Sequence, residues 1–188
     1  MTEHEEPKEN RFQGTVRPLA VSDLSQLKPI LETWIRFPTQ TGTLLTEEVE
    51  ETLEEMKTSA EGGNDKKYFV AENPAGHVVG VLGYQPLRAE MLPFSATDRP
   101  LEVINAYADI DHRKGKGVGK ALLQRIEDEI RNGGHEEFLL NSGPRYRETG
   151  WPFWTKMLGA PVGTMKDFYG PGNDAPVWRK VFNPPAHK

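Results

Sequence analysis

The stretch HRKGKGVGKALL, residues 112–123, concentrates positive charge and glycine just before an apolar helical pattern. Its cations are Arg113, Lys114, Lys116 and Lys120, and its glycines are Gly115, Gly117 and Gly119. Glycines let a backbone approach a ligand closely, and the unpaired amides and dipole of a helix N-terminus favour an anion. The stretch therefore predicts a binding site for a multiply charged ligand, most often a phosphate; the alternative is a solvated turn that only starts a helix.

Two nucleotide-binding patterns fit the stretch poorly. A Walker A loop requires GxxxxGK followed by Ser or Thr, but Gly119-Lys120 is followed by Ala121, and Lys114 stands where the first glycine belongs. A dinucleotide fingerprint requires GxGxxG, but the spacing from Gly115 is GxGxG. A nucleotide-binding protein of another fold is therefore a weak alternative.

The surrounding elements predict a mixed α/β domain with the glycine-rich turn between a buried strand and a helix. A run apolar on both faces, residues 101–110, predicts a central strand before the turn. Apolar residues four apart predict a helix after it, ending at Asn132-Gly133-Gly134. The remaining strands are expected at 14–20, 67–72, 77–84, 136–142 and in a closing hairpin over 164–182, and the remaining helices after Ser22 and Asp23, at 47–57 and in the aromatic segment 150–160.

Domain boundaries and irregular segments follow from the same patterns. Residues 1–12 are polar and without periodicity, which predicts a disordered tail before one domain at 13–184. Pro29 should kink the first helix or shift its start. Residues 37–46 are expected to form a loop, and residues 85–100 an irregular excursion.

Composition narrows the function classes. The chain has 188 residues, no cysteine and a net charge of −5, which argue for one soluble domain without disulfides and against nucleic acid as a partner. Its five histidines show no HxxH or HxxxH spacing, so no metal is expected. No apolar run could span a membrane and the acidic start is unlike a signal peptide, so a cytoplasmic protein is expected.

The segment Lys114–Ala121 resembles the acyl-CoA pyrophosphate loop of the GNAT superfamily of N-acyltransferases. The family pattern is Gln or Arg, two residues, Gly, one residue, then Gly or Ala, and Lys114 replaces Gln or Arg with its charge kept. YFVAENPAGHVVGVLGY is similar to two neighbouring strands of the family, and FWTKMLGA to its helix that usually reads like FYEKLGF. The resemblance implies one α/β domain with a mostly antiparallel sheet, a splayed strand pair and helices on both faces.

The resemblance also implies a cofactor and the residues that contact it. Acetyl-CoA or another acyl-CoA would lay its pantetheine arm in the gap of the splayed strands, against the backbone of Ala108, Asp109 and Ile110. The pyrophosphate would lie on the amides and cations of Lys114, Gly115, Lys116, Gly117, Val118, Gly119 and Lys120. Asn141 and Trp154 are further candidates for cofactor contacts, and packing in the core is the alternative for Trp154.

Direct attack by a primary amine on the thioester is the implied reaction. The chain has no cysteine and no GxSxG elbow, so no covalent route has a candidate nucleophile. Glu102 is the first candidate for the general base, with a surface charge as the alternative, and Asp109 is the second. The family's acid is often a tyrosine where this chain has Trp154 or Thr155; Tyr146, or else Tyr169, could replace it.

The sequence says least about the identity of the amine substrate. Residues 37–51 and 85–100 would flank the amine side, and their acidic borders favour a cationic small molecule or peptide amine. A catalytically silent acyl-CoA-binding sensor of the same fold is the alternative function. A homodimer is possible by resemblance.

Overall fold

A computed structural model of the protein describes residues 11–112 and 116–182. Its strands are β1 (Thr15–Pro18), β2 (Arg36–Phe37), β3 (Thr43–Leu44), β4 (Lys67–Glu72), β5 (Val78–Pro86), β6 (Pro100–Ala108), β7 (Glu137–Asn141), β8 (Gly163–Met165) and β9 (Ala175–Val181). Its helices are α1 (Leu24–Trp34), α2 (Thr46–Ala60), α3 (Val118–Asn132) and α4 (Gly150–Leu158). The predicted disordered tail at 1–12 falls largely outside the described residues, and so does the end of the predicted domain.

Seven of the described strands form one sheet in the order β1-β4-β5-β6-β7-β9-β8, and β2 and β3 form a separate hairpin. Neighbours in the large sheet are antiparallel except β6 and β7, which run parallel with α3 as the crossover between them. This confirms the predicted mixed α/β fold with a mostly antiparallel sheet.

Helices cover both faces of the sheet because β4 and β5 are apolar on both sides. Phe69 and Ala71 pack in a core with α3 and Trp154 of α4, whereas Tyr68 and Val70 pack in a second core with α1 and α2. Successive side chains of a strand point to opposite faces, so the two cores lie on opposite sides. We call the face that carries α3 and α4 the α3 side, and the face that carries α1 and α2 the α1/α2 side.

The sequence prediction of β6 as a strand buried on both sides holds for its first half alone. Leu101, Glu102 and Val103 are buried, whereas residues 104–108 are partly or fully exposed. The reason is that β7 leaves β6 after the first three residues, so the second half of β6 has no described strand on that side.

Three local predictions differ from the structure. Pro29 lies inside α1, which continues from residue 24 to 34, after a turn of 3-10 helix at Val21–Asp23. The segment 37–46 contains the short hairpin of β2 and β3, and the segment 85–100 contains a 3-10 helix at Ala89–Phe94. Within the described residues, no helix is long and apolar enough to span a membrane.

Candidate functional site

The two central parallel strands separate and leave a gap. β6 and β7 pair at Pro100 with Glu137, Leu101 with Phe138 and Glu102 with Leu139. Beyond this point β6 stays with β5 as far as Ala108, while β7 stays with β9 as far as Asn141. We call the space between residues 103–108 and 140–141 the strand gap; it is the splayed pair that the sequence resemblance implies.

The N-terminus of α3, where the sequence predicts the pyrophosphate, lies close in the chain to the end of β6. Gly117 is the residue before the helix and has φ of 73°, a left-handed conformation that favours glycine. No side chain caps the helix among the described residues, so its first amides and the positive end of its dipole are directed outward. Lys116 and Lys120 are exposed beside this turn, and Lys114 and Gly115 lie outside the described residues.

Val118 and Gly119 hold this helix end in place by packing. Val118 is fully buried in the core on the α3 side. A Cβ added to Gly119 would lie 3.0 Å from the Phe153 ring, so the glycine allows α4 to pack closely against α3. These two predicted cofactor residues therefore also fix the position of the amides.

The end of β6 is held from two sides. The indole Nε1 of Trp34 donates to the carbonyl of Ala108 at 2.7 Å, which ties α1 to the strand end. The N–H of Asp109 donates to the carbonyl of Val79 on β5 at 2.8 Å. Since neighbouring residues of an antiparallel strand alternate in their pairing, the N–H of Ala108 is directed away from β5. The backbone of Ala108 is thus better placed than that of Asp109 to pair with an arm in the gap.

The Asp109 carboxylate organises the turn after β6. Its Oδ1 accepts from the N–H of Asp111 at 2.9 Å, and the carbonyl of Asp109 accepts from the N–H of His112. The turn at Ile110–His112 leaves Ile110 exposed. Asp109 therefore stabilises the turn that follows the end of β6.

Glu102 lies where β6 and β7 part, and it is completely buried. Its Oε2 accepts from Nε of Arg88 at 2.9 Å and from Nε2 of Gln85 at 3.1 Å, and its Oε1 accepts from the second guanidinium nitrogen of Arg88. The alternative of a surface charge is therefore wrong for Glu102. Since Leu101 and Val103 belong to the core on the α3 side, Glu102 points to the α1/α2 side.

Tyr146 follows β7 and reaches across to β6. Its ring lies 6.4 Å from that of Tyr107, edge to face, so the two rings join the two sides of the strand gap. The hydroxyl of Tyr146 is buried and has no well-formed hydrogen bond among the described residues, and the nearby Tyr107 hydroxyl contributes to raising its pKa. Burial raises the pKa of Tyr146 well above its usual value, and the Arg145 guanidinium acts in the opposite direction.

Asn141 and Trp154 have defined surroundings. Asn141 ends β7; its Oδ1 accepts from the Tyr169 hydroxyl at 2.6 Å, and its Nδ2 has a weak contact at 3.6 Å with the sulfur of Met91. The Asn141 amide is thus oriented at the edge of the strand gap. Trp154 is 6% exposed in the core on the α3 side, which favours the packing role for this residue.

An open cleft of about 720 Å³ lies beside the N-terminus of α2. It is lined by Leu44, Leu45, Thr46, Glu47, Glu48 and Glu51. Arg145 forms an ion pair with Glu48, which joins this wall to the segment that carries Tyr146. Within the ranges that the structure describes, no group of three or more His, Cys, Asp or Glu side chains could hold a metal ion.

The contacts that sequence reasoning missed are those between distant segments. The partners of Glu102 and Ala108 are Arg88 and Trp34, and Arg145 binds Glu48 from 97 residues away. Pairs at such separation leave no periodic signal in one sequence.

Comparison with known proteins gives the family. The family model of the acetyltransferase (GNAT) family matches residues 29–160, which is more than half of the chain. The chain therefore belongs to the GNAT acetyltransferase family. No match is found among curated protein sequences.

Solved structures of GNAT proteins share this fold at low sequence identity. A GNAT-family acetyltransferase from Desulfovibrio desulfuricans is similar with a TM-score of 0.69 and 18% identity over 89% of this chain and 98% of that one. The yncA protein of Salmonella typhimurium, solved with acetyl-CoA, has a TM-score of 0.63 and 18% identity over 94% and 98%. An aminoglycoside 6'-N-acetyltransferase of Enterococcus faecium has a TM-score of 0.63 and 15% identity over 92% and 99%.

Proposed function

We propose that this protein transfers an acetyl group from acetyl-CoA to a primary amine by direct attack. The observation that carries the proposal is the strand gap, which opens next to the uncapped N-terminus of α3. A phosphate-bearing carrier can lie on the helix end while its arm enters the gap.

The cofactor site of the proposal has two parts. The pyrophosphate lies on the N-terminus of α3, with the amides at 117–119 as donors and Lys116 and Lys120 as counter-charges. Lys114 and Gly115, the other predicted contacts, lie outside the described residues. The arm pairs with the N–H of Ala108, and Asn141 offers its Nδ2 to the arm because that nitrogen has a thioether as its described partner. The neighbour from Salmonella typhimurium, which was solved with acetyl-CoA, supports acetyl-CoA as the ligand of the proposal.

The reaction requires that the amine lone pair attack the thioester carbon. The C–N bond forms, the C–S bond breaks, and the electron pair of the C–S bond goes to sulfur. In the proposal, Tyr146 gives its hydroxyl proton to the thiolate and the amine proton leaves to a carboxylate or to water. Tyr146 carries its hydroxyl proton at neutral pH, as tyrosines ordinarily do. Burial raises its pKa and so makes that proton harder to release.

Two carboxylates compete for the role of base. Both oxygens of Glu102 accept from Arg88, which favours an anchoring role for this buried side chain. Asp109 is more than a third exposed and lies at the strand end, where a water molecule can reach it. Comparing Glu102→Gln with Asp109→Asn decides between them: the variant of the base loses kcat about 100-fold or more, while the other keeps it.

The substrate of the proposal is a cationic amine, either a small molecule or part of a peptide. Glu47 and Glu51 line the cleft on the α1/α2 side, and Glu48 keeps its carboxylate near Arg145. The Enterococcus faecium neighbour, whose name gives an aminoglycoside as its substrate, supports a small cationic amine.

The experiment is thiol release from acetyl-CoA in the presence of a panel of polyamines, amino sugars and lysine peptides. Turnover with at least one primary amine and saturation by acetyl-CoA is the expected result. A silent acyl-CoA-binding sensor is the second candidate, and the engagement of Glu102 by Arg88 is the observation that favours it. Tight CoA binding without turnover of any amine would establish the sensor, and the absence of CoA binding would refute both candidates.

A further inference from the structure

Arg145 sits between a carboxylate and an aromatic ring at the strand gap. One guanidinium nitrogen donates to Glu48 Oε2 at 3.0 Å and a second donates to Oε1, so the pair is bidentate. The guanidinium carbon lies 5.0 Å from the ring centre of Tyr146. Arg145 is 20% exposed and Glu48 is 38% exposed, which leaves this ion pair partly shielded from solvent.

The ion pair connects elements that are far apart in the chain. Glu48 belongs to the first turn of α2, which lines the cleft, and Arg145 belongs to a 3-10 turn at Pro144–Tyr146 after β7. Its formation fixes the guanidinium next to Tyr146. The charged and titratable groups that act on the Tyr146 hydroxyl are Tyr107 on β6, Arg145 on its own turn and Glu48 on α2.

We propose that Arg145, held by Glu48, is a positioning residue that stabilises the negative charge left on Tyr146 when its proton passes to the departing thiolate. The inference rests on the proposed function, in which Tyr146 is the acid. A fixed guanidinium beside a phenol favours the phenolate by direct charge attraction. Glu48 keeps the guanidinium in place, and its own charge limits the effect. The proton passes from Tyr146 Oη to sulfur, and solvent later returns a proton to the phenolate.

The thiol of bound CoA provides a readout that does not need turnover. A proton donor beside the sulfur stabilises the thiolate by hydrogen bonding, and Arg145 strengthens that donor. We therefore expect the pKa of the bound thiol, followed by the ultraviolet absorbance of the thiolate, to be lowest in the unchanged protein. Arg145→Gln should raise it by about one unit, a tenfold loss of acidity, and Tyr146→Phe should raise it at least as much. Arg145→Lys keeps the charge and should restore part of the effect.

Matched controls lie two residues away in the chain from Arg145 and from Glu48. Arg147 has its guanidinium carbon 5.0 Å from the ring centre of Trp151, and Glu50 on α2 pairs with Lys28 at 2.5 Å. Arg147→Gln and Glu50→Gln remove a similar charge and contact, but neither residue is among the groups that act on the Tyr146 hydroxyl, so the thiol pKa should stay unchanged. Glu48→Gln should raise it by less than Arg145→Gln, because the guanidinium keeps its charge but loses its anchor.

A double-mutant cycle on kcat separates positioning from a structural role. Arg145→Gln should lower kcat about tenfold in the unchanged background and should have no further effect in the Tyr146→Phe background. Equal losses in both backgrounds, or an unchanged thiol pKa in Arg145→Gln, would overturn the inference. If either of these two results is found for a protein that binds CoA and acetylates an amine, only the role of Arg145 is refuted. If the unchanged protein does not bind CoA, the proposed function is refuted and the role of Arg145 with it.

Discussion

Gly117 carries the sharpest prediction because its conformation and the anion site depend on each other. A left-handed residue other than glycine costs about 1–2 kcal/mol, and the φ of Gly117 is 73°. Gly117→Ala must therefore accept this strain or rotate the turn so that its amides leave the ligand. At about 2–4 °C per kcal/mol for a chain of this size, the expected loss of Tm is about 2–8 °C.

Gly117→Ala should weaken CoA binding by more than its loss of stability alone would suggest. A hydrogen bond to a charged group contributes about 1.5–3 kcal/mol, so the loss of one amide contact to the pyrophosphate corresponds to roughly a 10- to 100-fold weaker Kd. Isothermal titration with CoA measures this value. We expect Gly117→Ala to remain folded and to bind CoA at least tenfold more weakly.

Gly76 provides a matched control for this experiment. It has φ of 81° in the turn between β4 and β5, and an added Cβ would meet no atom within 4 Å. Gly76→Ala should therefore lose a similar amount of Tm and bind CoA normally. An unchanged Kd in Gly117→Ala, or equal weakening in Gly76→Ala, would refute the placement of the pyrophosphate on this turn.

Three further predictions concern single side chains. Trp34→Phe removes the donor to the Ala108 carbonyl and should raise the KM for acetyl-CoA several-fold in steady-state assays. The free energy of unfolding should fall by about 1 kcal/mol. An unchanged KM would show that α1 does not position the strand end. Arg88→Met leaves the buried Glu102 carboxylate without its charged partner, so denaturant titration should show a loss of about 3–5 kcal/mol, and a loss below about 1 kcal/mol would argue against this ion pair. Hydrogen bonds from Arg17 hold the pKa of Asp23 below its usual value. The stability that Asp23 contributes is therefore present above about pH 4 and is lost as the pH falls through the folded pKa. In Asp23→Asn the unfolding free energy should depend less steeply on pH in acid, and an unchanged slope would contradict this.

The parts of the site that lie within a continuous segment could be predicted from sequence. The order of strand, glycine-rich turn and helix places Gly117 at a helix N-terminus, because glycine spacing and the apolar period are both local signals. The strand at Lys67–Glu72 and the end of the helix near Asn132 follow from similar signals. The separation of β6 from β7 came from the family resemblance, since no local pattern encodes where two strands part.

The parts that depend on distant contacts could not be predicted. In the sequence, Glu102 resembles an exposed charge at the start of a strand. Its carboxylate is buried and paired with Arg88, which lies in a segment whose sequence shows no periodicity. The Tyr146 side chain gains part of its surroundings from Tyr107 on β6, 39 residues earlier in the chain. A single sequence records the residue types at these positions but not the pairing that gives them a role.

Acetyl transfer itself tests the account most directly. The protein is incubated with acetyl-CoA and a panel of cationic primary amines, and each amine is weighed by mass spectrometry before and after. The account predicts that at least one amine gains an acetyl group while CoA is released in equal amount, and that Tyr146→Phe slows this step. A panel left unmodified would contradict acetyl transfer: the silent sensor would remain if the protein binds CoA, and both candidates would fail if it does not.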